Sequence, residues 1–258
     1  MSRSGRTGVP PDRIEGRNPV REALRAGRPL RRILLAERVL ESDAVRAILD
    51  AARDAGVPVE RVPRAVIDRM AAGRVHQGVL AEAEPYRFRS WEEASDSAVG
   101  RGSAPLLLAL DGVTDPGNLG SLLRSAEAAG VDAVLIPRRR SSPVTPVVEK
   151  ASAGALEHLV IDRVPNLERA LERCRQRGIW IVGLAGDAPG SLWECDLLAE
   201  PLVLLVGSEG KGLSRLLMER ADALVRIPMG GEVGSLNAAV AGAVALFEAR
   251  RRRVASRI

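Results

Sequence analysis

From Pro105 onward, short apolar runs alternate with helix-length segments, and no other feature restricts the fold as much. The runs Leu106–Leu110, Ala133–Ile136, Ile179–Leu184, Leu202–Val206 and Ala223–Ile227 are apolar almost throughout. A strand with one wet face would alternate apolar and polar residues. A continuous apolar strand needs cover on both faces, as in parallel sheets flanked by helices. The segments Leu119–Ala129, Val144–Ala151, Leu167–Arg177, Ser214–Arg220 and Asn237–Arg253 are the predicted helices. Strand–helix repetition of this kind predicts an α/β fold with a mostly parallel sheet. The last helix is apolar or small on nearly every side of its first turns, which suits close burial or a subunit interface.

Before this region the pattern is weaker. Residues 1–12 are polar with Gly and Pro and read as a flexible arm. Gly16-Arg-Asn-Pro-Val20 opens a short helix, Arg32–Ala36 is a strand, and Asp43–Ala55 carries helical spacing that stops at Gly56. Val57–Val62 and Gly78–Ala83 read as strands, with a helix over Pro63–Ala72 between them. Residues 13–84 therefore form a small α/β domain, 85–104 a linker with a surface helix at Trp91–Ala98 as the alternative, and 105–258 a larger domain.

Composition excludes several classes. At 46% apolar the chain can pack a core. No apolar stretch is long enough to span a bilayer. Two cysteines, Cys174 and Cys195, make no disulfide framework. With no apolar leader at the first residues, a cytoplasmic location is the expectation. The net charge of +5 is compatible with a nucleic-acid partner and equally with plain solubility. Of 38 basic residues only Lys150 and Lys211 are lysine. The arginine run 250–253 suits a helix carboxyl terminus, and would also suit RNA phosphate.

Three segments carry the chemistry. They are Asp111-Gly-Val-Thr-Asp-Pro-Gly-Asn-Leu-Gly-Ser-Leu-Leu-Arg124, Leu204-Leu-Val-Gly-Ser-Glu-Gly-Lys-Gly212 and Ile227-Pro-Met-Gly-Gly-Glu-Val-Gly-Ser-Leu-Asn237. Each lies at the carboxyl end of a predicted strand, where parallel α/β sheets bind ligands. Phosphate-loop and dinucleotide patterns are absent: Gly210-Lys211 is followed by Gly212, and no Gly-x-Gly-x-x-Gly opens the first helix. Histidines and cysteines are scattered, so no metal site is expected. What remains are backbone-rich loops beside Asn118, Arg124, Glu209, Ser235 and Asn237. Taken singly, Asn118 and Asn237 read as helix caps, Arg124 as a solvent-facing helix residue, and Glu209 as a group near a helix's positive end.

These segments resemble the three signature segments of the SpoU (TrmH-like) RNA 2'-O-methyltransferases. Asn118 and Arg124 match the first, Gly207, Glu209 and Gly212 the second, and Pro228, Ser235, Leu236 and Asn237 the third. His76-Gln77-Gly78 and Gly16-Arg-Asn-Pro-Val20 resemble the amino-terminal RNA-binding domain of the ribosomal RNA subgroup, of the L30e type. The resemblance implies a SPOUT fold with a carboxyl-terminal trefoil knot, a homodimer with the site near its interface, and S-adenosylmethionine held near Gly207, Ile227, Pro228, Met229 and Leu236. It implies attack of a ribose 2'-oxygen on the sulfonium methyl, with no metal because the leaving group is a neutral thioether. Arg124 is the residue usually assigned to activating the hydroxyl. A guanidinium is a poor base, so fixing phosphate and stabilising the developing alkoxide is the alternative. Asn118, Glu209, Ser235 and Asn237 would position Arg124, the ribose and the cofactor loops. The implied substrate is a guanosine of large-subunit rRNA in the peptidyl-transferase region. The rivals are tRNA, another rRNA site of the resistance type, or a non-catalytic RNA-binding assembly factor.

Overall fold

A computed structural model describes residues 12–73, 75–84, 86–139, 141–142, 144–232 and 234–255. The arm expected over residues 1–12 lies, as far as residue 11, outside them. The chain divides into two compact units, Met1–Arg87 and Phe88–Ile258.

The first unit runs β1 (Asp12–Glu15), α1 (Arg17–Arg25), β2 (Leu30–Ala36), α2 (Asp43–Asp54), β3 (Val59–Val62), α3 (Arg64–Ala71) and β4 (Val79–Ala83). Its four-stranded sheet has the order β1-β4-β2-β3, antiparallel except for the β2–β3 pair. The run Ile33–Ala36 is apolar because both faces are covered. Ile33 and Leu35 pack with α1 and α2 through Val20, Leu24, Ile48 and Ala52. Leu34 and Ala36 pack with Ile67 of α3. Ser42 caps α2 by accepting from the Val45 N–H at 3.3 Å. The edge strand β1 was not expected from sequence; its Asp12 and Arg13 hide the period. The two motifs of this unit meet: the Arg17 N–H donates to Gln77 Oε1 at 3.3 Å. Buried His76 accepts from the Gly78 N–H at Nδ1, 3.1 Å away. Its Nε2 therefore carries the proton toward Asp68 Oδ1 at 2.7 Å.

The second unit runs α4 (Trp91–Gly100), β5 (Leu106–Asp111), α5 (Pro116–Ala129), β6 (Ala133–Pro137), α6 (Pro146–Ser152), β7 (Val160–Val164), α7 (Leu167–Gln176), β8 (Trp180–Leu184), β9 (Gly190–Ser191), β10 (Leu202–Gly207), α8 (Arg215–Arg220), β11 (Ala223–Arg226) and α9 (Ala238–Ala255). The seven strands lie in the order β7-β6-β5-β10-β8-β11-β9, and every pairing is parallel. Leu107, Ala109, Val203 and Leu205 face a core shared with Trp91, Leu171 and Leu217. On the other face α9 approaches so closely that a Cβ on Gly242 would overlap Leu122 of α5 and press on Val206 of β10. This close approach is why small residues stand on the face of α9 turned to α5 and β10.

Within the stretch 85–104 the alternative reading of a helix at Trp91–Ala98 is the one observed, as α4, but it is not a surface helix, since Trp91 is fully buried in the second unit's core. Ser90 caps this helix by accepting from the Glu92 N–H at 3.1 Å. Strands β7 and β9 were not expected. Strand β7 is an edge strand bearing Asp162 and Arg163, and β9 is two residues long.

The arginine run closing α9 is tied into the fold. Arg251 and Arg252 both bond Glu248, at 2.7 and 3.0 Å. Arg253 donates to the carbonyls of Ala104, Pro105, Leu198 and Glu200. Arg252, which also reaches Asp196, and Arg253 therefore fasten loops to the last helix, while Arg251 pairs within it.

Candidate active site

The three signature segments converge where β5, β10 and β11 end. After β5, the Asp111 Oδ2 accepts from the Ser214 N–H at 2.7 Å, joining the first turn to the segment after the second. Asp115 caps α5 by accepting from the Asn118 N–H at 2.7 Å. The cap is thus Asp115, and the Asn118 side chain has another partner.

After β10 the chain makes a closed five-residue loop. The Ser208 N–H donates to the Gly212 carbonyl at 3.0 Å and the Gly212 N–H to the Ser208 carbonyl at 2.9 Å. Gly210 and Gly212 have φ of 77° and 63°, which favours glycine. Gly207, at the base of the loop, tolerates no side chain, since a Cβ there would overlap Gly212 and the Leu213 nitrogen. After β11, residues 227–237 lead to α9, whose start is capped by Asn237. Its Oδ1 accepts from the Ala239 N–H at 2.8 Å and the Val240 N–H at 3.3 Å.

One cluster joins the three segments. Asn118 Nδ2 donates to Glu209 Oε2 at 3.0 Å. Asn237 Nδ2 donates to Asn118 Oδ1 at 3.0 Å and to Glu209 Oε1 at 3.4 Å. The amide orientations follow from chemistry. An ionised carboxylate only accepts, so both amides must turn their NH2 groups toward Glu209. The Oδ1 of Asn237 is needed for the cap, which puts its Nδ2 on the cluster side. Asn237 is thus a cap, as read singly, and a member of the cluster as well.

Beside the cluster lies a cavity of about 730 Å³. Val206, Leu213, Met218, Val225, Ile227 and Leu236 supply its apolar wall, and Gly207–Gly212 and Gly234–Asn237 its backbone-rich rim. Of the residues singled out from sequence, Gly207, Glu209, Ile227, Met229, Ser235, Leu236 and Asn237 line it. Pro228 stands exposed between two lining residues and is not itself part of the wall. Asn118 reaches the cavity through Glu209 and Asn237. Arg124 is exposed on α5, roughly 9 Å along the helix axis from Asn118 at 1.5 Å per residue. It makes no hydrogen bond or ion pair with a described residue of its own chain, and it does not line the cavity.

A fourth loop was missed. Leu184, at the end of β8, and Ala185, Gly186 and Asp187, which follow it, line the cavity. Arg226 fixes the neighbouring turn by donating to the Ala188 and Pro189 carbonyls at 2.6 and 2.7 Å. The signal was present, since an apolar strand there also ends in a small Gly-bearing turn. Cys174 belongs to the core, and burial pushes its thiol up to about 12, so it is no nucleophile at neutral pH.

Known proteins can now be set beside this geometry. The profile of the SpoU rRNA Methylase family matches residues 105–247. That of the RNA 2'-O ribose methyltransferase substrate-binding domain matches residues 13–89. The chain is 39% identical to the putative TrmH family tRNA/rRNA methyltransferase YacO of Bacillus subtilis, over 94% of this chain and 96% of that one. It is 45% identical to the 23S rRNA (guanosine-2'-O-)-methyltransferase RlmB of Pseudomonas putida, over 83% and 85%. The crystal structure of the SpoU methyltransferase AviRb from Streptomyces viridochromogenes, in complex with AdoMet, superposes with a TM-score of 0.74. It is 26% identical and covers 94% of this chain and 90% of that one.

Proposed function

The chain belongs to the SpoU rRNA methylase family, and from that membership we propose that it transfers a methyl group from S-adenosylmethionine to a guanosine ribose 2'-oxygen of large-subunit rRNA. The observation that carries this is the meeting of three distant segments in one hydrogen-bonded cluster, Asn118–Glu209–Asn237, beside a cavity. The Pseudomonas putida relative supports the guanosine and the large rRNA by its name. The match of the first unit to a substrate-binding family supports an RNA partner.

The cavity suits an adenosyl cofactor. Its wall is apolar, its rim offers backbone donors and acceptors, and Gly207, lacking a Cβ, lets the loop fold back at Gly212 to shape that rim. Gly207, Ile227, Met229 and Leu236 would hold the cofactor, with Pro228 shaping the turn between two of them. When bound, S-adenosylmethionine supplies an electrophilic methyl group. The protein's part is to orient the ribose hydroxyl and manage its proton. Glu209, an acceptor with two amides fixing it, orients donors on the substrate; Ser235 on the rim does the same from the third loop. We assign Arg124 to the substrate phosphate and to the alkoxide as it forms, because a guanidinium stabilises negative charge better than it accepts a proton.

We further propose a homodimer, a trefoil knot in the carboxyl-terminal loops, and a cytoplasmic location. The dimer is supported by a stripe on α9. Val240, Phe247 and Val254 recur every seven residues and are 49%, 49% and 45% exposed, as expected of a face that meets another chain. The knot is supported by the family membership alone. The location follows from the substrate.

Calorimetric titration with S-adenosylmethionine separates the enzyme from a non-catalytic RNA-binding protein of the same fold. Saturable binding is expected, and no binding would contradict the assignment. The Bacillus subtilis relative's name keeps tRNA as the second reading for the substrate.

A further inference from the structure

A second cavity, of about 640 Å³, opens at the β7 edge of the second unit's sheet. Strand β7 lies three strands from β10, so roughly 14 Å of sheet separates the two cavities at the usual strand spacing. Four arginines line it, Arg89, Arg138, Arg163 and Arg173, against two carboxylates. Both carboxylates are engaged within the protein. Asp162 Oδ2 accepts from the Trp91 N–H at 3.1 Å, and Glu92 Oε1 pairs with Arg173 at 2.7 Å. The surplus is positive.

One wall is aromatic. The Arg163 guanidinium lies over the ring of Phe88, 5.3 Å from its centroid, and that ring is 39% exposed. Arg163 and Arg138 also clasp one another's carbonyls, at 3.3 and 3.1 Å, where β6 and β7 end. The buried Arg163 Nε–H has no hydrogen-bond partner among the described residues, which costs free energy that a bound ligand could recover. A flat guanidinium–aromatic platform ringed by cations is the chemistry that holds a single-stranded nucleotide: stacking for the base, arginine for the phosphate. Arg138 follows β6, so the cavity reaches the same carboxyl edge of the sheet as the cofactor cavity.

Given RNA methyl transfer as proposed above, we infer that this cavity is a second RNA subsite for a nucleotide flanking the methylated one, its base on Phe88–Arg163 and its phosphate at Arg89 and Arg138. The flanking single strand, and not only the first unit, then contributes to substrate choice.

The test compares the full chain with Phe88→Ala, Phe88→Trp and Arg89→Ala. Binding to an unmodified large-subunit rRNA transcript is titrated at several salt concentrations, and steady-state methyl transfer is measured alongside. Phe88→Ala is expected to weaken RNA binding and raise KM for RNA about tenfold, within the range for one stacked base. Its kcat and S-adenosylmethionine affinity should stay unchanged, and tryptophan should restore KM. Arg89→Ala is expected to lower the slope of log affinity against log salt by about 0.7, one phosphate contact to a single strand. Unchanged KM and unchanged salt slope in all three would overturn the subsite. A wild type that binds the transcript without methylating it would count against the methyl-transfer reading alone, and the binding titration would still decide the subsite.

Discussion

The side-chain amide of Asn237 donates to the Asn118 carbonyl oxygen at 3.0 Å across 119 residues of sequence, and the same Asn237 caps α9 through its other atom. One residue thereby sets both the start of the last helix and the position of the first signature segment. These two roles can be separated. Asn237→Ala is expected to lose about 1 kcal/mol of stability, the usual cost of an Asn cap, and most of its methyl transfer. Asn237→Ser keeps a cap acceptor but has no NH2 to give, so stability should largely return while turnover does not. Thermal unfolding and labelled methyl transfer on both variants check this. Full activity in the serine variant would reduce Asn237 to a cap.

Arg124 stands apart from the cluster, exposed and without a partner among the described residues of its own chain. Its replacement should therefore leave the fold intact. Arg124→Ala is expected to unfold at the wild-type temperature and to bind S-adenosylmethionine normally. Its kcat should fall about 100-fold or more, the scale for a lost group that manages a proton or its charge. Turnover near wild type would remove Arg124 from the mechanism.

Two glycines of the cofactor region make opposite predictions. At Gly207 a Cβ would overlap the returning loop at Gly212, whereas nothing lies within 4 Å of a Cβ at Gly230. Gly207→Ala is expected to abolish S-adenosylmethionine binding by calorimetry, and Gly230→Ala to leave it within about twofold, since surface changes away from packed features cost little. Equal behaviour of the two would mean that the closed loop is not what shapes the cavity.

The α9 terminus carries a pH signature. Hydrogen bonds from Arg251, with Arg252 adding to them against the opposing effect of burial, hold the Glu248 carboxyl below its ordinary value of 4.5. An acid depressed in the folded state stabilises the fold above its unfolded value, and that stability is lost as pH falls through the folded value. Urea unfolding of wild type and Glu248→Gln should therefore differ most near neutral pH and converge well below pH 4.5. A gap that persists undiminished in acid would show that packing, not charge, is what Glu248 contributes.

Much of this fold is written in local pattern. Strands β5, β6, β8 and β10 are largely apolar runs buried on both faces, the shorter β11 is covered mainly at Val225, and the helices between them follow from spacing and caps. Strand β7 is illegible because Asp162 and Arg163, which line the edge cavity, break its apolar pattern, and α4 is legible only as the alternative to a linker because its buried stripe, Trp91, Ala94, Ser95 and Ala98, is small and partly polar beyond the tryptophan. The cluster is a different matter. Asn118 alone reads as a cap, and only the fold shows that Asp115 takes that role and frees the amide for Glu209. The arginines at 251–253 read as a dipole partner or an RNA contact; Arg251 pairs within the helix with Glu248, but Arg252 and Arg253 reach a carboxylate and carbonyls distant in sequence that local pattern does not reveal. The loop after β8 went unnoticed because it contributes shape, with few side chains that advertise chemistry.

Transfer of label from S-adenosylmethionine to unmodified large-subunit rRNA and, separately, to tRNA, followed by mapping of the modified ribose, tests the central claim most directly. Label at a single guanosine 2'-oxygen of the large-subunit rRNA is the expected result. Label confined to tRNA would contradict the substrate, and cofactor binding with no label in either RNA or in assembling large subunits would contradict methyl transfer to RNA itself.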